Sequence, residues 1–381
     1  GFETRETMGV YATITAALAD LTLRGVSGPV NFLLTDATYP TETFPLVVSV
    51  YNANKPTATN FVTLKPSAGV TASVTGASPA SQIFKILESH FVLDGSNSGG
   101  ADRSLTIENT SATTPQVVVV GSTGTTPITN VTVKNCNIIN GVTSSSALIV
   151  SDGTTPGTAG YFTNITVQNN TIQKAYIGAY CNAVVAAGNG NGLVLTQNNL
   201  AAGGTNQIRL VGLYVQGVDG ATLSNNVLGN MANTSDASNV NAMWFATGTI
   251  NSSMLNNTIS TMSGTSMGPR GIAASTGNAN SNLTISGNTI STVTTTSSTA
   301  PYGIYVYSST GNVSITRNQV NGLLNSNTGG YGARGILLTT GLTVNNSVIA
   351  NNVVYDIVCT GDAGSSFWGI GIAIDGTTGG V

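Results

Sequence analysis

Apolar and polar positions alternate in short stretches along the chain, and the stretches keep ending on asparagine. The phrase recurs as VTVKNCNI (131–138), ITVQNNTI (165–172), LVLTQNNL (193–200), ATLSNNVL (221–228), SSMLNNTI (252–259), LTISGNTI (283–290), VSITRNQV (313–320) and SVIANNVV (347–354). Aligned on one position, these give Cys136, Asn170, Asn198, Asn226, Asn257, Asn288, Asn318 and Asn352, at intervals of 34, 28, 28, 31, 31, 30 and 34 residues. A second phrase of the form small, apolar, any, apolar runs in phase with the first. It begins at Ala147, Gly178, Gly212, Ala242, Gly271, Gly303, Gly335 and Gly369, as in GLYV (212–215), GIYV (303–306) and GIGI (369–372). Two phrases sharing one period of this length mark a solenoid, and alternation flanked by turn residues reads as strands, at least two per repeat.

Helical solenoids of similar period need runs of good helix formers, whereas Gly, Asn, Ser and Thr fill the gaps here. The pattern therefore predicts an all-β parallel β-helix of about ten to twelve rungs, roughly 50–60 Å long, with about three strands per rung and inward Val, Ile and Leu in columns. An asparagine at a fixed place in each turn locks such a stack, because its amide both donates to and accepts from the same amide one rung away. Asn170, Asn198, Asn226, Asn257, Asn288, Asn318 and Asn352 are the expected ladder. Cys136 takes the ladder slot in the first regular rung, and Cys181 falls in an inward column with Val215 and Val306.

The opening of the chain differs. Thr13 or Thr15 can N-cap a helix over 11–24 with Ile14, Ala17, Leu18 and Leu21 on one face and Gly25 at its end, a cover for the open strand edge. Residues 1–29 thus read as a capping segment. Residues 30–125 read as irregular first rungs, with strands at 30–33, 45–50, 61–64, 83–86, 91–93, 105–107 and 117–120, and 126–381 as regular ladder repeats. Gly1 is preceded by no signal-like segment, which suggests a mature or excised chain. GIGIAIDGTTGGV starts a rung without a cap, so further rungs or another subunit are expected beyond it.

Charge is scarce: 7% of residues are Asp, Glu, Lys or Arg and the net charge is −3, against about 25% charged residues in typical soluble domains. Such a surface has no field to steer a nucleic acid or an anionic membrane, and no apolar run is long enough to span a bilayer. Three cysteines make no paired framework and read as buried free thiols rather than metal ligands. An Asn- and Thr-rich, Lys-poor surface favours an extracellular location.

The ordered motifs YATITAALADL, GPVNFLLTDATYPTETF, VTLKPSAGVTASVTG and FVLDGSNSGGADRSLTIENT, within about residues 10–140, resemble β-helix modules of large secreted surface proteins of Bacteroidota-type bacteria, inside the broader pectin-lyase-like fold. DGSNSGGADRSLTI (94–107) is the most specific of them. The resemblance implies a right-handed coil and export to the cell surface.

That fold also includes polysaccharide lyases, esterases and hydrolases, which need paired carboxylates, or a calcium-binding carboxylate cluster with a base. The acids of the repeat region are Asp152, Asp219, Asp236, Asp356, Asp362 and Asp375. Three of them precede Gly as turn residues, and none recurs on neighbouring rungs. Arg270 and Arg334 share a repeat position with Tyr302 between them, and no acidic cluster accompanies them. His90, in the SHFVLDG turn, reads as a turn residue. Neither a metal nor a cofactor is expected. Asn130, Asn164, Asn233, Asn251, Asn282 and Asn312 head Asn-x-Ser/Thr triplets, but the repeat itself writes this pattern.

One position stands out. In the second phrase the residue between the two inward apolar ones points outward, and it is Tyr180, Tyr214, Trp244, Ala273, Tyr305, Leu337 and Gly371 along the rungs. The aromatic members form a flat stripe for another protein or for sugar faces, unless the 230–241 and 260–270 loops cover it. The sequence therefore points to a non-enzymatic structural or adhesive module that contacts neighbouring chains, with a carbohydrate-binding or carbohydrate-degrading protein as the alternative.

Overall fold

Each turn of the coil is built from three strands, so the first phrase is two strands and a corner. The structure is a computed structural model and describes residues 9–329, 331–361 and 368–376. Within them the chain winds through three parallel sheets of eleven strands each, about 50 Å of stack at the usual spacing. In a representative rung Phe162–Gln168 belongs to sheet A, Thr171–Gln173 to sheet B and Ala175–Asn182 to sheet C. The asparagine phrase crosses from sheet A to sheet B, and the small–apolar phrase is the sheet C strand.

The doublet Asn-Asn has a backbone cause. Its first member turns the A-to-B corner in the left-handed region, with φ +51° at Asn169 and +55° at Asn225 and Asn256. Asn tolerates that conformation far better than most residues, and Gly287 takes the same place in one rung. The second member points inward.

Inward columns form as the alternation requires: Leu213, Met243, Ile272 and Ile304 are consecutive register partners in sheet C, and all are fully buried. The small residue that opens the phrase also has a physical reason. A Cβ on Gly303 would lie 2.3 Å from Val320 Cγ1 and 2.5 Å from Gly335 O, and one on Gly212 would lie 2.4 Å from Leu228 Cδ2. Sheet B side chains already fill the volume beneath that corner, so at Gly212 and Gly303 only hydrogen fits without a shift.

At the N-terminal end a helix spans Ile14–Arg24. Thr13 caps it by accepting from the Ala16 N–H at 3.0 Å, and Gly25 ends it at φ +65°. Ile14, Ala17, Leu18 and Leu21 are buried. The helix has no acid in its first turn; Glu42 supplies one from outside, accepting from the N–H groups of Ile14 and Thr15 at 2.7 Å where the helix dipole is positive.

Two expectations need correction. Ala72–Gly76 is a sheet B strand that pairs with Leu105–Asn109, although its sequence, ASVTG, shows too few apolar residues to announce one. In the last rung Ile336 pairs with Ile372 and Leu337 with Ala373. The second phrase there is therefore GIAI (371–374), and Ala373 rather than Gly371 continues the outward column. GIGIAI repeats with a period of two, so sequence alone leaves its register degenerate. Asp362 lies outside the described residues, as do 377–381.

Candidate functional site

Two surfaces carry the residues singled out by the sequence. The first is the A-to-B corner, where Asn170, Asn198, Asn226, Asn257, Asn288, Asn318 and Asn352 stand in one line. Each Nδ2 donates to the Oδ1 of the next at 2.9–3.1 Å. The same Oδ1 also accepts the backbone N–H of the preceding asparagine, as Asn226 Oδ1 does from Asn198 at 3.0 Å. Nδ2 has a second acceptor on the previous rung, Val167 O for Asn198 at 2.9 Å. Cys136 begins the line: its N–H donates to Asn170 Oδ1 at 2.9 Å and its thiol to Lys134 O at 3.1 Å. Burial pushes the Cys136 and Cys181 thiols well above the ordinary range, so both are inert.

The second surface is the outer face of sheet C. Ile149, Tyr180, Tyr214, Trp244, Ala273, Tyr305 and Leu337 are register partners in sequence, one per rung. Their rings do not lie flat. Tyr180 and Tyr214 stack face to face with centroids 5.0 Å apart and planes 3° apart, close to the rung spacing of about 4.8 Å, so their ring normals run along the solenoid and their edges face outward. Trp244 meets Tyr214 at 88°, and its Nε1 donates to Ser275 Oγ on the next rung at 2.8 Å. Tyr305 is sandwiched between Tyr302 and Tyr307, each at 4.4 Å. Burial, with Tyr180 and Tyr307 nearby, pushes the Tyr214 phenol up to about 12, and burial also raises Tyr180 and Tyr302.

Arg270 opens its sheet C strand and reaches onto this face. Its guanidinium lies 5.2 Å from the Tyr305 ring centre and 5.0 Å from that of Tyr307, and Nη1 donates to Tyr307 Oη at 2.9 Å. The 230–241 and 260–270 turns bond to one another along the B-to-C corner, where Asn239 Nδ2 donates to Gly268 O at 2.7 Å. Sequence reading missed Tyr302 and Tyr307 as members of the aromatic group. Tyr302 shares a register position with Arg270 and Arg334, and Tyr307 lies two residues after Tyr305, so spacing along one strand was the available signal.

The carboxylates are dispersed. Asp152 accepts from the N–H groups of Thr154 and Thr155 at 2.8 and 2.7 Å. Asp219, at the C-to-A corner, accepts from Gly188 N and Asn251 Nδ2. Asp236, at the B-to-C corner, pairs with Arg209 at 3.0 Å. Asp356 sits in a left-handed turn at φ +54°, and Asp375 is the register partner of Thr339 near the end of the last described strand. His90 has φ +56°, a conformation that Asn and Asp also take readily. Arg334 donates to the carbonyls of Ala333 and Trp368. Within the 95–104 loop Asp102 accepts from the hydroxyls of Ser98, Ser96 and Ser104 and the N–H of Asn97, which hold its carboxyl well below the usual range.

The Asn-x-Ser/Thr asparagines divide by role. Asn251, Asn282 and Asn312 turn the C-to-A corner and Asn130 and Asn164 sit within the sheet A strands Ile128–Lys134 and Phe162–Gln168, all with φ between +50° and +57°. Asn233 is buried and ties down the B-to-C turn through Asp236 and Ser238. Among the described residues no helix is long and apolar enough to cross a membrane.

No family model matches the sequence, and no curated protein matches it. Among solved structures, the A-module of the Azotobacter vinelandii mannuronan C-5 epimerase AlgE6 is similar, with a TM-score of 0.48 and 16% identity over 84% of this chain and 79% of that module. It is a likeness of overall fold.

Proposed function

We propose that the chain is a non-enzymatic structural and adhesive module of a larger extracellular surface protein or filament, and that it makes contact through the outer face of sheet C. The observation that carries this reading is the aromatic row Tyr180, Tyr214, Trp244 and Tyr305, brought together on one side of a stiff rod with few charges. Tyr, Trp and Arg are the side chains that dominate protein contacts, because each combines large apolar area with a polar tip. Ring orientation favours a protein over a sugar here. Stacking on a sugar needs an open ring face, and both faces of Tyr305 are covered.

The test is bead adhesion. Beads coated with the chain are held on surfaces of extracellular matrix protein or polysaccharide in 1 M salt, and the eluate is assayed for reducing and unsaturated sugars. Retention on protein that disappears in a Tyr214→Ser/Trp244→Ser/Tyr305→Ser variant, with no sugar released, is expected. Equal retention of the variant, or steady release of sugar by the parent chain, would overturn the proposal.

A further inference from the structure

Four buried side-chain atoms among the described residues have no hydrogen-bond partner in the protein: Asn140 Oδ1, Asn182 Oδ1, Asn241 Oδ1 and Arg270 Nε. The last two are neighbours. Asn241 and Arg270 open consecutive sheet C strands and are register partners, and the Arg270 backbone N–H donates to Val240 O at 2.7 Å, so their side chains leave adjacent rungs on the same side of the sheet. One atom is an acceptor and the other a donor, and both are sealed from bulk solvent.

Both groups are held where they are. Asn241 Nδ2 donates to Asn239 O at 3.0 Å, so a flipped amide would set two oxygens against each other. Arg270 Nη1 donates to Tyr307 Oη at 2.9 Å, and the guanidinium lies against the Tyr305 and Tyr307 rings. In these positions Nε–H and Oδ1 do not bond to each other. Leaving a sealed donor and a sealed acceptor apart is costly twice over. One water between them accepts from the first and donates to the second, the two bonds that a buried water needs at least. Arg209 shows the same requirement met by the protein itself: it lies 4.6 Å from the Tyr176 ring centre, and its Nε donates to Thr143 O at 2.9 Å.

We infer that a single buried water bridges Arg270 Nε to Asn241 Oδ1, and that Asn241 acts through it as a positioning residue for the aromatic face of sheet C. The chain of contacts runs from Asn241 to the water, to the guanidinium, and from there to Tyr305 and Tyr307. Rung 241 thereby sets the rings two rungs away, although Asn241 carries no aromatic group of its own. The inference stands without the adhesive reading of that face and states how part of the face is held.

The experiment is a double-mutant cycle on the whole chain: Asn241→Leu, Arg270→Met and the two together, followed by urea unfolding. Each single variant strands one atom of the pair and should lower the urea midpoint. The double variant strands neither, so its loss should fall clearly short of the sum of the two single losses. Arg270→Gln keeps an amide donor for the water and should lose less than Arg270→Met. Near-ultraviolet circular dichroism reads the positioning: Asn241→Leu should lose part of the tyrosine signal while its far-ultraviolet spectrum stays that of the parent chain. A crystal structure of the parent chain should show a water about 2.7–3.2 Å from both atoms. Losses that add in full, an unchanged tyrosine signal in Asn241→Leu, or parent-chain density without a water between the two atoms would each overturn the inference. Failure of bead adhesion removes the proposed function and leaves these three readings as they are, so the two fail separately.

Discussion

The asparagine corner and the outer face of sheet C are built from the same repeat and differ in how completely their polar atoms are used. At the corner Asn198 makes four hydrogen bonds through its side chain, two given and two received, and is almost fully buried. On sheet C, Asn182 Oδ1, Asn241 Oδ1 and Arg270 Nε are buried without a protein partner, three of the four such atoms among the described residues. A saturated column can be repeated indefinitely and binds nothing, because no donor or acceptor remains to offer. An unsaturated one carries the cost of its unpaired atoms. The rod is thus saturated at one corner and unsaturated along one sheet.

The strongest way to break that contrast is to cut the saturated column. Asn257→Leu removes four bonds: two donated, to Leu223 O and Asn288 Oδ1, and two accepted from Asn226. The backbone N–H of Asn226 is then buried without an acceptor, and its Nδ2 keeps only Leu195 O. The expected loss is about 3–5 kcal/mol, read as a lower urea midpoint. A loss below about 1 kcal/mol would mean that the ladder is ornament.

A cut through the inner side of sheet C comes next. Gly303→Ala places a methyl 2.3 Å from Val320 Cγ1 and 2.5 Å from Gly335 O, so the rungs must part locally. About 1–3 kcal/mol should be lost, with the adhesion of the outer face retained. If adhesion falls as far as stability does, the two sides of the sheet are not separable.

These two sites also mark where sequence is informative. The ladder is legible because one side chain must meet its own copy on every rung, so the constraint is written once per period. The glycine column is legible for the same reason, although why it must be small became clear only from the sheet B side chains beneath it. The helix was equally plain, since Thr13, Gly25 and the Ile14, Ala17, Leu18, Leu21 stripe are local signals. The outer face was half legible. Period places Tyr180, Tyr214, Trp244 and Tyr305 in one column, but ring tilt depends on χ angles and on neighbours such as Tyr302, Tyr307 and Ser275, which obey no repeat. The strand Ala72–Gly76 and the register of Gly369–Gly376 were missed where alternation was weak or self-similar.

Removing the unsaturated cation should sharpen the comparison by costing almost nothing. Arg270→Gln gives up its contact with the Tyr305 and Tyr307 rings, worth about 0.5–1 kcal/mol, and at the same time removes a buried donor that had no acceptor in the protein. Thermal denaturation at neutral pH should therefore place the variant within about 1 kcal/mol of the parent chain. A loss as large as that of Asn257→Leu would make Arg270 a structural residue and erase the distinction between the two surfaces.

The smallest effect belongs to alkaline pH and reports the packing of the tyrosine edges. The Tyr214 phenol is pushed from 10.0 to about 12, chiefly by burial and then by the neighbouring Tyr180 and Tyr307 phenols. An acid whose folded value is raised stays protonated in the folded chain while the unfolded chain ionises, so stability is fully present below pH 10, falls as pH rises through 10 to 12, and levels off above. Solvent reaches the outer edge of the ring, which keeps the change below about 1 kcal/mol. Tyr214→Phe should flatten the decline between pH 10 and 12 and leave the neutral-pH midpoint nearly unmoved. The ladder variant should instead show its deficit at every pH, since no asparagine titrates. A decline of equal steepness in the parent chain and in Tyr214→Phe would place the phenol in open water, and with it the stacked, edge-on arrangement on which the contact face depends.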